Sequence, residues 1–311
     1  MTASTVGYHR PRSAAPLRAI DAVSAERAAA GFAISARLDI GRVDLRGHFP
    51  GMPVYPGVFT LESIVQAVAA GTDVPLSLRE IHSGRFLGAL LPGDTLVLRI
   101  DVEPAADGWA ATVTGTRAGG EPVIKLRAVL GDLPTTTPAD PPPPVTGSAA
   151  MDVTAVEAAL PHRHPMLLVD RVIDLEPGVI VRAEKAITAN DPCYAECDDL
   201  PLATRAYPAS LMLESLGQAA ALLWGVRVSS DDVLMLAGVR RYRVTGAAYP
   251  GDVLHHMVQL THIKADTAFA TGRTWAGDRP VAEVATLIAV QRRRSVLNAA
   301  RHTPPLLQEA R

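Results

Sequence analysis

Cysteine is nearly absent from this 311-residue chain, with Cys193 and Cys197 the only two. A disulfide framework is thereby excluded, and a spacing of four without other clustered ligands makes a poor zinc site. No apolar run approaches the ~20 residues of a membrane span. The N-terminus shows no basic stretch followed by an apolar one. An excess of either charge is missing too: the formal net charge is −2, which points to neither a nucleic-acid surface nor an acidic tail. With 48 % hydrophobic residues, the expectation is soluble globular material, cytoplasmic by default. The length suggests about two domains.

What is there centres on residues 46–71, RGHFPGMPVYPGVFTLESIVQAVAAG. A loop carrying His48 runs through Pro56 and Gly57 into a helix that is apolar on almost every side, which predicts a helix wrapped by other structure. Glu62 is the carboxylate on that helix, and burying it is costly unless something pairs with it or uses it. Upstream, alanine gives weak helical signals over Ala14 to Ala30, and residues 31–45 alternate as a strand. Downstream, Leu96, Leu98 and Ile100, then Trp109, Ala111 and Val113, then Val123, Lys125 and Arg127 recur at period two across turns, which predicts an antiparallel meander.

Residues 134–150, PTTTPADPPPPVTGSAA, exclude regular structure because proline removes donors and favours extended geometry. They divide the chain into 1–133 and 151–311. The pattern then recurs. Tyr207-Pro208 through Glu214 and Gln218 lie over Tyr55-Pro56 through Glu62 and Gln66 without a gap, and Pro250-Gly251-Asp252 over Pro92-Gly93-Asp94. Such self-similarity indicates duplication of one domain. Strands are expected over 233–245, 253–263 and 267–274, with a last one ending near Arg292.

HFPGMPVYPGVFTLES, LPHRHPMLLVDRV with its following EPG, and the PGD-headed strands resemble the bacterial 3-hydroxyacyl-acyl-carrier-protein dehydratases of the FabZ type. The resemblance implies an α+β double hotdog, each half a long central helix wrapped by a curved antiparallel sheet. It covers both halves, with departures. The first half shows only a trace of the PHR segment, at Tyr8-His9-Arg10-Pro11, and the second has lost the loop histidine, with Leu200 or Cys197 at its position.

The family's geometry implies that His48 of one half meets Glu214 of the other, while Glu62 faces the degenerate loop at Leu200 as a possible vestigial site. By resemblance the reaction removes water from a 3-hydroxyacyl thioester. His48 would take the α-proton, Glu214 with a raised pKa would protonate the leaving hydroxyl, the Gly57 N–H would stabilise the thioester oxygen, and the Val54 carbonyl would fix the imidazole tautomer. Gln218 would line the substrate site or bond its glutamate. His162 and His164 read as packing and turn chemistry, and His255 and His256 as opposite faces of one strand. No metal or redox cofactor is implied. The implied partner is an acyl carrier protein, and chains of this kind associate further in relatives; Arg240, Arg241 and Arg243 are candidates to receive the carrier, beside the commoner reading of a solvated edge-strand charge cluster. A non-catalytic acyl-binding partner subunit, a thioesterase or an enoyl isomerase on the same scaffold are the alternatives.

Overall fold

The computed structural model describes residues 4–6, 13–41, 45–134, 138–144, 150–197, 200–225 and 232–295. In the first half, β1 (Ser4–Val6), β2 (Ala22–Arg27) and β3 (Phe32–Asp39) precede helix α1 (Gly57–Thr72). After α1 come β4 (Ser77–Phe86), β5 (Thr95–Ala105), β6 (Gly108–Arg117) and β7 (Pro122–Gly131). The second half opens with a short helix α2 (Val153–Ala159), then β8 (Arg171–Glu176), β9 (Ile180–Ala186) and helix α3 (Ala209–Gly225). It closes with β10 (Asp232–Val244), β11 (Val253–Lys264), β12 (Thr267–Ala276) and β13 (Arg279–Arg293).

The described strands form one sheet of 13, in the order β1-β2-β3-β5-β6-β7-β4-β10-β13-β12-β11-β9-β8. Read outward from the β4–β10 seam, six strands of each half follow in matching order, with β1 added at the edge of the first, so the duplication seen in the residues is a duplication of topology. The seam is antiparallel, with Ile81 opposite Tyr242 and Gly84 opposite Val239.

Period-two burial makes the layers. In β3, Ile34, Ala36 and Leu38 face inward, and Leu96, Leu98, Ile100 and Val102 of β5 do the same. Each of the larger aliphatic side chains in this set contributes about 1.5–3 kcal/mol through the water it sheds. On β7 the inward set is Ile124, Leu126 and Ala128, leaving Lys125 and Arg127 outside. The two long helices lie side by side against the inner face, α1 on β3 and α3 on β9 and β11. One apolar core runs through both halves. Helix α1 starts behind Pro56 and ends where Asp73 turns left-handed (φ 56°) and donates its N–H to the Ala69 carbonyl. No helix among the described residues is long and apolar enough to cross a membrane.

The helical expectation over Ala14 to Ala30 is wrong. Ala22–Arg27 is strand β2, paired with β3 from Ala22↔Arg37 to Arg27↔Phe32. Alanine's helical preference amounts to at most ~0.7 kcal/mol per residue over ordinary residues, and a free strand edge that buries Val23 outweighs it. The proline-rich residues 138–144 carry no helix or strand. They are pinned along the second half: Trp275 Nε1 donates to the Asp140 carbonyl (2.7 Å), Arg273 pairs with the Asp140 carboxylate (2.7 Å), and Arg182 donates to the carbonyls of Pro143 and Pro144.

Candidate active site

The loop between β3 and α1 holds His48 by its backbone: the His48 carbonyl accepts from Val54 N–H (2.9 Å), and the Phe49 and Met52 peptide groups bond each other. Its Nδ1 lies 2.8 Å from the Val54 carbonyl. A carbonyl only accepts, so Nδ1 carries the hydrogen and Nε2 keeps a lone pair directed into the pocket. Burial and the neighbouring His162 bring His48 down to about 4, against the opposing pull of Glu214. It is therefore neutral at neutral pH.

Glu214 projects from α3 toward the same point. The ligating atoms of His48, His162 and Glu214 all lie within 4.8 Å of one another, and all three residues are buried. Gln218, one turn on, donates to Glu214 Oε1 (2.9 Å) and to the Met166 carbonyl (2.7 Å), while its own oxygen accepts from Leu168 N–H (2.9 Å). The amide is fully engaged. Gln218 thus orients the Glu214 carboxylate from a position in the lining of the same pocket.

His162 is what the sequence reading missed. Its Nε2 lies 3.4 Å from Glu214 Oε1, and its Nδ1 is buried with no hydrogen-bond partner in the protein. The two imidazoles lie 5.3 Å apart, and Phe49 packs beside both, stacked on His48 (4.1 Å) and edge-on to His162 (4.8 Å). The approach depends on Gly47, at φ +80°: its carbonyl accepts from Arg163 N–H (2.9 Å), and a Cβ there would stand 2.0 Å from the Arg163 carbonyl oxygen. His164, by contrast, is exposed, as the turn reading requires.

Burial opposes the charge on Glu214, but the His162 hydrogen bond and charge, with His48 and Gln218, more than offset it and hold the carboxyl well below its usual value. The expectation of a raised pKa at Glu214 is therefore overturned. The raised one is Glu62, pushed up to about 7 by burial against a single opposing hydrogen bond from Ser210 Oγ. Gly57 opens α1 beneath His48, and no side chain caps that helix end. A Cβ on Gly57 would come within 3.2 Å of the Phe86 ring across the pocket.

The counterpart of the PHR segment also moves. Tyr8 to Pro11 lies outside the described residues. Gln66 accepts from Ala19 N–H (2.9 Å) and donates to the Leu17 carbonyl (3.0 Å), as Gln218 does to Leu168 and Met166. Asp21 accepts from Asp39 N–H as Asp170 does from Ala186 N–H. These bonds place Leu17 over Met166 and, counting back, Ser13 over His162. Glu62 thus sits in a symmetry-related cleft whose described lining residues include no histidine. Leu200 packs half-buried on the core and Cys197 is buried; neither is among the residues lining that cleft, which is closed instead by Thr204 to Ala209. The extra loop residues are taken up by two short 3-10 turns, Pro192–Tyr194 and Leu202–Thr204.

Elsewhere, His255 pairs with Glu184 (3.2 Å), and His256, on the other face of β11, lies between Ser215 (2.8 Å) and Thr274 (2.9 Å). Arg240 and Arg241 are exposed, and Arg243 is matched by Glu80 (3.4 Å) and Glu283 (3.5 Å).

The raised Glu62 has a consequence for stability. Below about pH 4.5 the group is neutral folded and unfolded; as pH rises through about 7 only the unfolded chain ionises freely, so stability falls across that window. The loss is of order 3 kcal/mol. Denaturant unfolding at pH 5 and pH 8 should show it, and Glu62→Gln should flatten the dependence.

Two helix-and-sheet halves sharing one core, with a histidine from one and a carboxylate from the other in one buried cleft, define a double-hotdog protein. Residues 24–118 match the ApeI dehydratase family profile and residues 160–285 the FabA-like domain. The 3-hydroxyacyl-[acyl-carrier-protein] dehydratase FabZ of Natranaerobius thermophilus is 31 % identical over 134 residues, 42 % of this chain and 92 % of that one. The FabZ of Actinobacillus pleuropneumoniae serotype 5b is 33 % identical over 144 residues, 45 % of this chain and 90 % of that one. Among solved structures, the dehydratase domain from the CurJ module of curacin polyketide synthase superposes with a TM-score of 0.63 at 12 % identity, covering 93 % of this chain and 99 % of that one. The dehydratase domain of a mycocerosic acid synthase-like polyketide synthase gives 0.62 at 16 %, covering 88 % and 96 %. The chain belongs to the FabZ-type dehydratase family, in tandem double-hotdog form.

Proposed function

We propose that this chain dehydrates 3-hydroxyacyl thioesters, presented on an acyl carrier protein, to trans-2-enoyl thioesters in fatty-acid or polyketide assembly, with its working site at His48 and Glu214. The observation that carries this reading is the cross-half cleft, in which a neutral imidazole with its tautomer fixed by Val54 stands beside an ionised carboxylate.

The states of these groups shape the mechanism. His48 Nε2 removes the proton from the carbon next to the thioester carbonyl. Charge moves onto the thioester oxygen, where the Gly57 N–H at the uncapped start of α1 stabilises it without reorganising. Glu214 brings no proton of its own. Its carboxylate accepts a hydrogen bond from the 3-hydroxyl and stabilises the imidazolium for the instant it exists. An imidazolium in this dry site is a strong acid, so the same proton passes from His48 to the departing hydroxyl and leaves as water. His162 and Gln218 act as positioning residues that keep Glu214 ionised and aimed.

Purified protein incubated with a 3-hydroxyacyl thioester should develop enoyl absorbance. Its kcat/KM should stay flat from pH 7 to about 5 and fall tenfold per unit below about 4, because the base is lost only when His48 protonates. A limb near pH 6.5 would show an imidazole in water-like surroundings and sink the assignment. Exposed Arg240 and Arg241 at the seam are the proposed carrier contact. Changing both to Glu should weaken carrier affinity and leave turnover of a truncated thioester intact; unchanged affinity would remove that surface.

A further inference from the structure

The cleft around Glu62 is the internal-symmetry mate of the catalytic pocket, and the dehydration does not use it. Tyr207 stands for Tyr55, Met212 for Thr60 and Glu62 for Glu214, with Val65 where the catalytic pocket has Gly217. The mate encloses about 340 Å³, against about 80 Å³ in the catalytic pocket. That lies within the ~300–1,000 Å³ usual for small-molecule sites. Ser13 replaces His162, and no histidine is among the described residues that line it.

We propose that this second cleft is a non-catalytic binding site for an acyl thioester of the class that the catalytic pocket dehydrates. The ligand class rests on the reading of that pocket. The strand wall that would receive an acyl chain is leucine in both clefts, Leu76 and Leu78 here and Leu234 and Leu236 in the catalytic pocket, and Met212 and Val65 make the helix side more apolar than Thr60 and Gly217 do. The start of α3 at Ala209 offers the backbone position that Gly57 offers in the other half, again with no acidic residue in the first turn. Between them stands Glu62, buried and held by Ser210, whose carboxyl, pushed up by burial, can in its protonated form donate to a carbonyl or hydroxyl without setting a charge against an apolar chain. What is gone is the base. With no imidazole among the described lining residues, a bound thioester keeps its proton and leaves unchanged.

Isothermal titration of the full-length His48→Ala protein with the N-acetylcysteamine thioester of 3-hydroxybutyrate tests this. Two equivalents per chain are expected. Adding Val65→Phe, which fills the second cleft, should remove one of them, and adding Gly217→Phe should remove the other. Val65→Phe alone should leave kcat at its wild-type value, and its thermal melt reports whether it folds. Ser13→Trp at the rim provides an independent block. A single equivalent, abolished by Gly217→Phe and untouched by Val65→Phe and Ser13→Trp, overturns the second site and leaves the dehydratase reading standing. Binding confined to the second cleft, in a wild-type protein that does not turn over, would overturn the dehydratase reading instead.

Discussion

His48→Ala should lower kcat for a 3-hydroxyacyl thioester by about 10³-fold, within the ~10²–10⁴ that a positioned general base supplies. The size of the effect follows from the number of parts the imidazole plays: it both removes the α-proton and returns it to the hydroxyl, so nothing else in the cleft stands in for it. The acyl chain and the start of α1 still hold the substrate, so KM should move far less than kcat. His48→Gln should be no better, because an amide can fill the space but cannot cycle a proton. Stability gives an independent check. A buried imidazole held at about 4 is disfavoured by protonation between pH 6.5 and 4, where the unfolded chain takes up the proton first, so the wild type should lose stability as pH falls through that window and His48→Ala should lose less.

Glu214→Gln should lower kcat by about 10²-fold, since it removes the charge that stabilises the imidazolium while keeping side-chain shape. Glu62→Gln, a change in the equivalent residue of the other helix, should leave kcat within about twofold, because no histidine is among the described residues that line its cleft. The paired outcome is the test of the cross-half geometry. Equal loss from Glu62→Gln, with Glu214→Gln active, would place the working site in the other cleft. His162→Gln should fall between the two and should also raise the pH at which Glu214 titrates, an effect that mere loss of packing would not produce.

The two glutamates show where sequence reading stops. Glu62 and Glu214 share the frame Leu-Glu-Ser, with Gln at i+4, and nothing in that frame tells them apart. Yet one is held down as a carboxylate and the other raised to about 7. The difference comes from residues far off in the chain: His162 reaches Glu214 because Gly47 lets the Arg163 backbone close onto the His48 loop, whereas the Glu62 cleft has Ser13 at the position equivalent to His162. Likewise Gln66 and Gln218 read as twins and make the same bonds to backbone, but only Gln218 also donates to its glutamate. The Ser13 correspondence escaped notice because the bonds that define it run to peptide groups, which leave no trace in side-chain identity.

By itself the sequence determined the duplication, the two buried helices, the strand meander, the lost second histidine and the His48 loop, because each is written in local periodicity or in runs of residues with fixed backbone demands. Only the tertiary structure decided which cleft carries two histidines, which carboxyl is held low and which is pushed up, and that Gln218 bonds Glu214 across one helical turn. Those properties depend on distances across the seam between halves and on how much water each group has lost, and neither quantity is local to any stretch of the chain.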